Sequence, residues 1–211
     1  RLCRALSNGC PSRTCSPTDT PYGSSKLVAE KIHEIWQQAD SKRHLIIVRA
    51  GVVFGPGEEG NVTRMVKLLR RGYFFYIGNR NTIKAGGYVK ELCEAICLSL
   101  KHREQGVTLF NFTYDPPPTV GDYAEVISRA LNRSNPRLNL PYAPVMAASK
   151  LISWIAKMIG VSTPVHPVRI RKLVRSNNII PKVLKEEGYT FRFTLDKAFS
   201  DWMQEMPQDF Q

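Results

Sequence analysis

Acidic residues are scarce in this chain. Its 211 residues hold 18 Asp and Glu against 30 Lys and Arg, a formal net charge of +12 and a pI near 9.7. The surplus points to an anionic partner without choosing among nucleic acid, a membrane surface and a phosphorylated small molecule. Helix-turn-helix, RNP and zinc-ligand spacings are all missing, and aromatics are not interleaved with the basic clusters, so no nucleic-acid partner is expected. No apolar run is long enough to cross a membrane. The best candidate, Val145 to Val161, is interrupted by Lys150 and Lys157, which share one polar stripe with Ser153. It reads as an amphipathic helix packed on the surface, with a membrane-surface helix as the alternative. An apolar leader is also lacking. The five cysteines suit neither a disulfide framework nor a metal site: Cys3, Cys10 and Cys15 sit in an irregular stretch, and Cys93 and Cys97, four apart, read as buried helix residues. A reducing cytoplasm is the expected compartment. No internal repeat is visible.

What is present is an ordinary globular composition, 43% hydrophobic and 23% charged. Residues 1–21, with Pro11, Pro17 and Pro21, read as irregular. From Tyr22 onward Val28, Ile32, Ile35 and Trp36 recur at helical spacing. His44 to Arg49 is a short β-branched run and reads as a buried strand. A loop with Gly51, Gly55, Gly57 and Gly60 follows, then a helix carrying Val62, Val66 and Leu69. Strands are predicted at Phe74 to Ile77 and Val107 to Phe112. Helices are predicted at Val89 to Leu100, Thr119 to Leu131, 145–160, 167–175 and 195–203. The alternation predicts an α/β fold with a mainly parallel sheet over residues 22–140 and a mainly helical lobe over residues 141–211. Arg169, Arg171, Lys172 and Arg175 make that lobe basic.

Tyr22-Gly-Ser-Ser-Lys26 puts a phenol and an ammonium one helical turn apart, beside the Val28/Ile32/Ile35/Trp36 stripe and so at the edge of an expected buried surface. A phenol is a poor base at neutral pH, but a neighbouring ammonium favours phenolate, which makes such a pair competent for proton exchange with a substrate hydroxyl. The bland alternative is an ordinary helix start with two exposed side chains.

PYGSSKLVAEK, followed some twenty residues later by LIIVRAGVVFGPGEEGN, resembles the extended short-chain dehydrogenase/reductase family, the NAD-dependent epimerase/dehydratases. A third block agrees: Ile77-Gly78-Asn79, then Gly87-Tyr88-Val89-Lys90-Glu91-Leu92. The resemblance implies the C-terminal half of an extended Rossmann-type fold with a mostly helical substrate-binding lobe. It implies Tyr22 as catalytic acid/base and Lys26 as its partner, both touching the nicotinamide ribose of NAD or NADP, with NAD favoured. It further implies a nucleotide-sugar substrate held at its diphosphate by Asn61 and by Lys84, which falls where relatives carry Arg; Arg169, Arg171, Lys172 and Arg175 are further candidates. The start of the helix at Asn61 suits an anion as well, and an N-cap is the alternative role for Asn61.

Several positions depart from the family pattern. Val52 stands where many sugar epimerases have Asn; Ala85, Gly86 and Gly87 replace an Asp and an aromatic; Glu91 replaces Asp and follows an unusual Lys90. The family's glycine-rich βαβ unit, expected before Tyr22, does not occur in the first 21 residues. Residues 1–16 are therefore expected to lie outside the family match, and the 211-residue chain is expected to be inactive by itself. The functional expectation is an NAD(P)-dependent epimerase/dehydratase acting on a nucleotide sugar, with a reductase of the same family or a non-catalytic anion-binding remnant as alternatives, and with a possible homodimer.

Overall fold

The computed structural model describes residues 21–101, 106–161 and 167–211. Cys3, Cys10 and Cys15, and the stretch expected to be irregular up to residue 20, lie outside them. In chain order the elements are α1 (Pro21–Gln38), β1 (His44–Ala50), β2 (Val52–Phe54), α2 (Asn61–Arg70), β3 (Tyr76–Ile77), β4 (Gly86–Tyr88), α3 (Val89–Lys101), β5 (Gly106–Phe112), α4 (Val120–Ala130), β6 (Asn139–Leu140), α5 (Tyr142–Met158), α6 (Pro167–Val174), α7 (Lys182–Glu186) and α8 (Leu195–Glu205). A 3₁₀ turn, Pro207–Phe210, follows.

All three strand pairs are parallel: β1 with β5, β2 with β4 and β3 with β6. The longest register runs from His44 opposite Gly106 to Ala50 opposite Phe112. β1 and β2 are one length of chain that changes partner at Gly51. The Gly51 N–H donates to the Phe112 carbonyl, and the next N–H, Val52, donates to Ala85, each at 2.9 Å. This hand-over brings backbones very close. A Cβ on Gly51 would lie 2.4 Å from the Ala85 carbonyl oxygen, and one on Gly86 would lie 2.4 Å from that of Val52. The glycine at position 86 thus has a packing reason, because glycine alone permits the approach.

The main core forms where α2, α4 and α8 close over β2 and β4. Phe54 stacks on Phe199 with ring centroids 5.0 Å apart and sits 5.7 to 6.2 Å from Tyr88, Tyr123 and Trp202. Val62, Val66 and Leu69 supply the inner face of α2, at the spacing read from sequence. α4 begins with a reciprocal cap: the Asp122 N–H donates to Thr119 Oγ1, and Asp122 Oδ2 accepts from the Thr119 N–H.

Three expectations are corrected. The α/β class with parallel pairing is present, but the strands occupy the middle of the chain, between residues 44 and 140, so the fold is not confined to a C-terminal half. The stripe Val28/Ile32/Ile35/Trp36 is exposed rather than buried. α1 faces β1 and β5 through Gly23, Leu27, Glu30, Glu34 and Gln37, a mostly polar seam at helical spacing. It is held by a two-bond ion pair from Arg49 to Glu30, at 3.0 and 2.6 Å, and by Gln37 Nε2 donating to the Arg43 carbonyl. Cys93 and Cys97 are exposed free thiols, because Glu91 and Ala95 take the inward positions of α3.

Candidate active site

Tyr22 and Lys26 open α1. Pro21 fits the first helical position because its missing N–H would have no partner there. The Lys26 ammonium lies 5.4 Å from the centre of the Tyr22 ring. Ser25 Oγ donates to the Tyr22 carbonyl at 2.8 Å and trims the first turn. Tyr22 is 73% exposed, so the pair stands clear of the buried surface on which it was expected to border. Among the described residues neither polar end is held by another side chain.

The glycine loop is built differently from the sequence reading. Gly55 and Gly57 have φ of +149° and +76°, values that favour glycine. The Gly57 N–H donates to Asp209 Oδ2 at 3.0 Å, and the same oxygen accepts from Trp202 Nε1 at 2.8 Å, which ties the loop to the chain's C-terminal turn. Asn61 is the first residue of α2, but the N-cap is Gly60 and Asn61 makes no capping bond. The Thr63 N–H is served instead by Glu58, whose carboxylate accepts from it at 2.8 Å and from Thr63 Oγ1 at 2.7 Å. A carboxylate beside the first turn also suits the positive end of the helix dipole.

Lys84 also has an internal partner. Its ammonium donates to the carbonyls of Lys172 and Arg175, at 2.8 and 2.7 Å, and so caps the C-terminal end of α6, where carbonyls are left over. Burial pushes its pKa below the ordinary lysine value. Arg169, Arg171, Lys172 and Arg175 are exposed. The structure thus joins Tyr22 to Lys26 in one place and Lys84 to Lys172 and Arg175 in another.

The segment Tyr88 to Glu91 clamps the C-terminal part of the chain. Glu91 is fully buried; Oε2 accepts from the Tyr189 hydroxyl and Oε1 from the Phe193 N–H, each at 2.6 Å. The unusual Lys90 meets Asp201 and Glu205 of α8, both at 2.6 Å, and the Tyr88 hydroxyl donates to Asp201 at 2.5 Å. Hydrogen bonds from Lys90 and then Tyr88 hold the Asp201 carboxyl below its usual range. Burial, reinforced by the carboxylates they bond to, pushes the phenols of Tyr88 and Tyr189 up, so both remain donors.

The model of the NAD-dependent epimerase/dehydratase family matches residues 7–112, half of the chain. The chain belongs to this family. The curated relatives are distant. It is 27% identical over 184 residues to the N-acetyl-α-D-glucosaminyl-diphospho-ditrans,octacis-undecaprenol 4-epimerase of Escherichia coli O157:H7, covering 87% of this chain and 56% of that one. It is 25% identical to the decarboxylating sterol-4-α-carboxylate 3-dehydrogenase of Saccharomyces cerevisiae, with the same two coverages. The chain spans about half the length of the curated relatives it matches. Among solved structures it resembles UDP-glucuronic acid 4-epimerase from Bacillus cereus in complex with NAD (TM-score 0.62, 12% identity, 92% of this chain and 54% of that one). It also resembles UDP-glucose 4-epimerase from Bifidobacterium longum in complex with NAD⁺ and UDP (TM-score 0.57, 18% identity, 92% and 58%).

These likenesses correct the expectation that only a C-terminal half carries the family resemblance, and, of residues 1–16, they bring residues 7–16 inside the family match. The match begins at residue 7, and the structural likeness extends over nine-tenths of this chain. The sequence reading missed Glu58, Asp209 and the burial of Glu91. Glu58 had a usable signal: a carboxylate just ahead of Asn61-Val62-Thr63, at the head of an apolar helix, is placed to cap it. Asp209 had none, since its partner Gly57 lies 152 residues away.

Proposed function

We propose that the protein is an NAD(P)-dependent epimerase or dehydratase acting on a nucleotide sugar, with Tyr22 as its proton carrier. The observation that carries this reading is the Lys26 ammonium over the Tyr22 ring, one turn apart at the start of α1. Among the described residues no other side chain holds either polar end, which suits a ribose and a sugar hydroxyl bound there. The nicotinamide cofactor, NAD in preference to NADP, supplies the hydride acceptor when bound. Tyr22 takes the proton of the sugar hydroxyl and returns it later. Lys26 favours the phenolate and contacts the ribose. For the diphosphate we propose Asn61, Arg169 and Arg175. Lys84, already engaged at the end of α6, acts by placing those arginines. The mainly helical residues 141–211 form the substrate lobe.

The diphosphate is shared by the UDP-sugars named for the solved relatives and by the undecaprenol-linked sugar named for the Escherichia coli relative, so both belong in the test. A net dehydrogenase is the second reading, favoured by the sterol dehydrogenase relative. The test is steady-state turnover of UDP-, dTDP- and GDP-sugars and of a polyprenyl diphosphosugar by the natural protein. Tyr22→Phe should lower kcat by about 10²–10⁴-fold with little change in cofactor affinity. Activity within threefold of wild type removes Tyr22 from the mechanism. Accumulation of reduced nicotinamide without a new sugar isomer favours the dehydrogenase.

A further inference from the structure

We propose that α5, with the basic helix α6 packed beside it, docks the protein on the surface of a negatively charged lipid bilayer. Two observations meet in this helix pair. The first is the way α5 faces. Leu151, Ile152, Trp154, Ile155, Met158 and Ile159 are all exposed, Trp154 by 60%. At 100° per residue they form one continuous apolar arc of about 160°. The buried positions are Met146, Ser149 and Ala156, so most of the large apolar side chains of the helix are turned outward. Lys150 and Lys157 border the arc, where their stems can lie along it while the ammonium groups stay in water. Among the described residues no helix is long and apolar enough to cross a membrane. An amphipathic helix with these faces lies in the interfacial plane instead.

The second observation is where the charge of the chain resides. Between Val126 and Lys185 there is no Asp or Glu, while eleven of the 30 Lys and Arg fall there. All 18 acidic residues lie elsewhere, against 19 basic ones, so the rest of the chain is close to neutral and this stretch carries almost the whole net +12. α6 packs on α5 and exposes Arg169, Arg171 and Lys172. A partner for this face must be apolar at its centre and negative around it. A second copy of the chain would bring an equally positive rim against the first and be repelled. An anionic bilayer supplies acyl chains to the arc and phosphates to the rim. The proposal does not depend on the reaction assigned to Tyr22.

The experiment is flotation of the full chain with vesicles of phosphatidylcholine plus phosphatidylglycerol, against vesicles of phosphatidylcholine alone. Tighter binding to the mixed vesicles, by roughly tenfold or more, is expected, and added salt should weaken it. In a Trp36→Phe background Trp154 is the exposed indole, and its emission should move to shorter wavelength on the mixed vesicles. Leu151→Glu with Ile155→Glu should abolish flotation while circular dichroism stays unchanged. If that pair disturbs folding, Lys150→Gln with Lys157→Gln, which leaves the apolar face intact, should weaken binding to mixed vesicles only. No binding to either vesicle, or equal binding to both, overturns the proposal. So does a solution dimer that Leu151→Glu dissociates, since a second copy would then cover the face.

Discussion

Two regions of this protein treat apolar side chains in opposite ways. Around Phe54, helices α2, α4 and α8 close on β2 and β4, and six aromatic rings pack with centroids 5 to 7 Å apart. Phe54 is 1% exposed there. Along α1 and α5, chains of equal apolar character face outward, and Ile32 is 60% exposed. The two regions differ in what holds the backbone. The closed region is held by apolar contact and by clamps reaching across the chain: Glu91 to Tyr189 and Phe193, Lys90 and Tyr88 to Asp201, Asp209 to Gly57. α1 is held by polar contacts, Glu30 to Arg49 and Gln37 to Arg43. Amphipathic spacing creates a helix with two faces, but the neighbours decide which face turns inward.

The largest effect that this contrast implies is at Trp202. Its side chain is fully buried, it lies 5.1 to 6.2 Å from Phe54, Phe199 and Phe210, and its Nε1 donates to Asp209. Trp202→Ala should cost about 3–5 kcal/mol, the range for removing a buried aromatic, with Asp209 losing a donor as well. Urea unfolding followed by circular dichroism measures it. A loss below about 1 kcal/mol would show that the closed region collapses around the vacancy, and the contrast with α1 would dissolve.

The next effect lies at the rim of the closed region and depends on pH. Lys90 and Tyr88 hold the Asp201 carboxyl below its ordinary value. For an acid whose folded pKa is depressed, the stabilisation is complete above the unfolded pKa, near 3.8. It is lost as pH falls through the lower, folded value. Asp201→Asn should therefore remove about 1 kcal/mol at neutral pH, a modest figure because the Lys90 and Asp201 side chains remain 40% and 31% exposed. The difference from wild type should shrink at the acid end. A difference that stays constant from neutral to acid pH assigns the loss to packing rather than to the ion pair.

The order of elements was legible in the sequence wherever pattern and chemistry are local. The β-branched run at His44 to Arg49 became β1, the strand predicted at Val107 to Phe112 became β5, and Val62, Val66 and Leu69 marked the inner face of α2. The strand β4, two glycines and a tyrosine, was not legible, since its pairing depends on backbone closeness to Val52 and on no propensity of its own. At the candidate site the Tyr22–Lys26 spacing could be read directly, because one helical turn fixes it. The environments of Lys84, Asn61 and Glu91 could not. Each is set by residues far away in sequence or by a competing neighbour: α6 for Lys84, Glu58 for the helix at Asn61, Tyr189 and Phe193 for Glu91.

The smallest effect tests the open side of the comparison. Ile32 lies on the outward stripe of α1 with Val28, Ile35 and Trp36. Shortening it to alanine removes little apolar contact, since most of the side chain already faces water, and alanine is the better helix former by a few tenths of a kcal/mol. The two terms oppose each other, so Ile32→Ala should lie within about 0.5 kcal/mol of zero, where surface substitutions usually fall. The same urea titration gives the comparison with Trp202→Ala directly. A cost of about 2 kcal/mol or more would place Ile32 in a packed interface, since burial is the term able to supply that much. α1 would then be covered in solution, and repeating the measurement across a range of protein concentrations identifies what covers it. A cost that grows with concentration belongs to association between copies, because only an assembly equilibrium depends on concentration. A cost independent of concentration belongs to contacts within one chain.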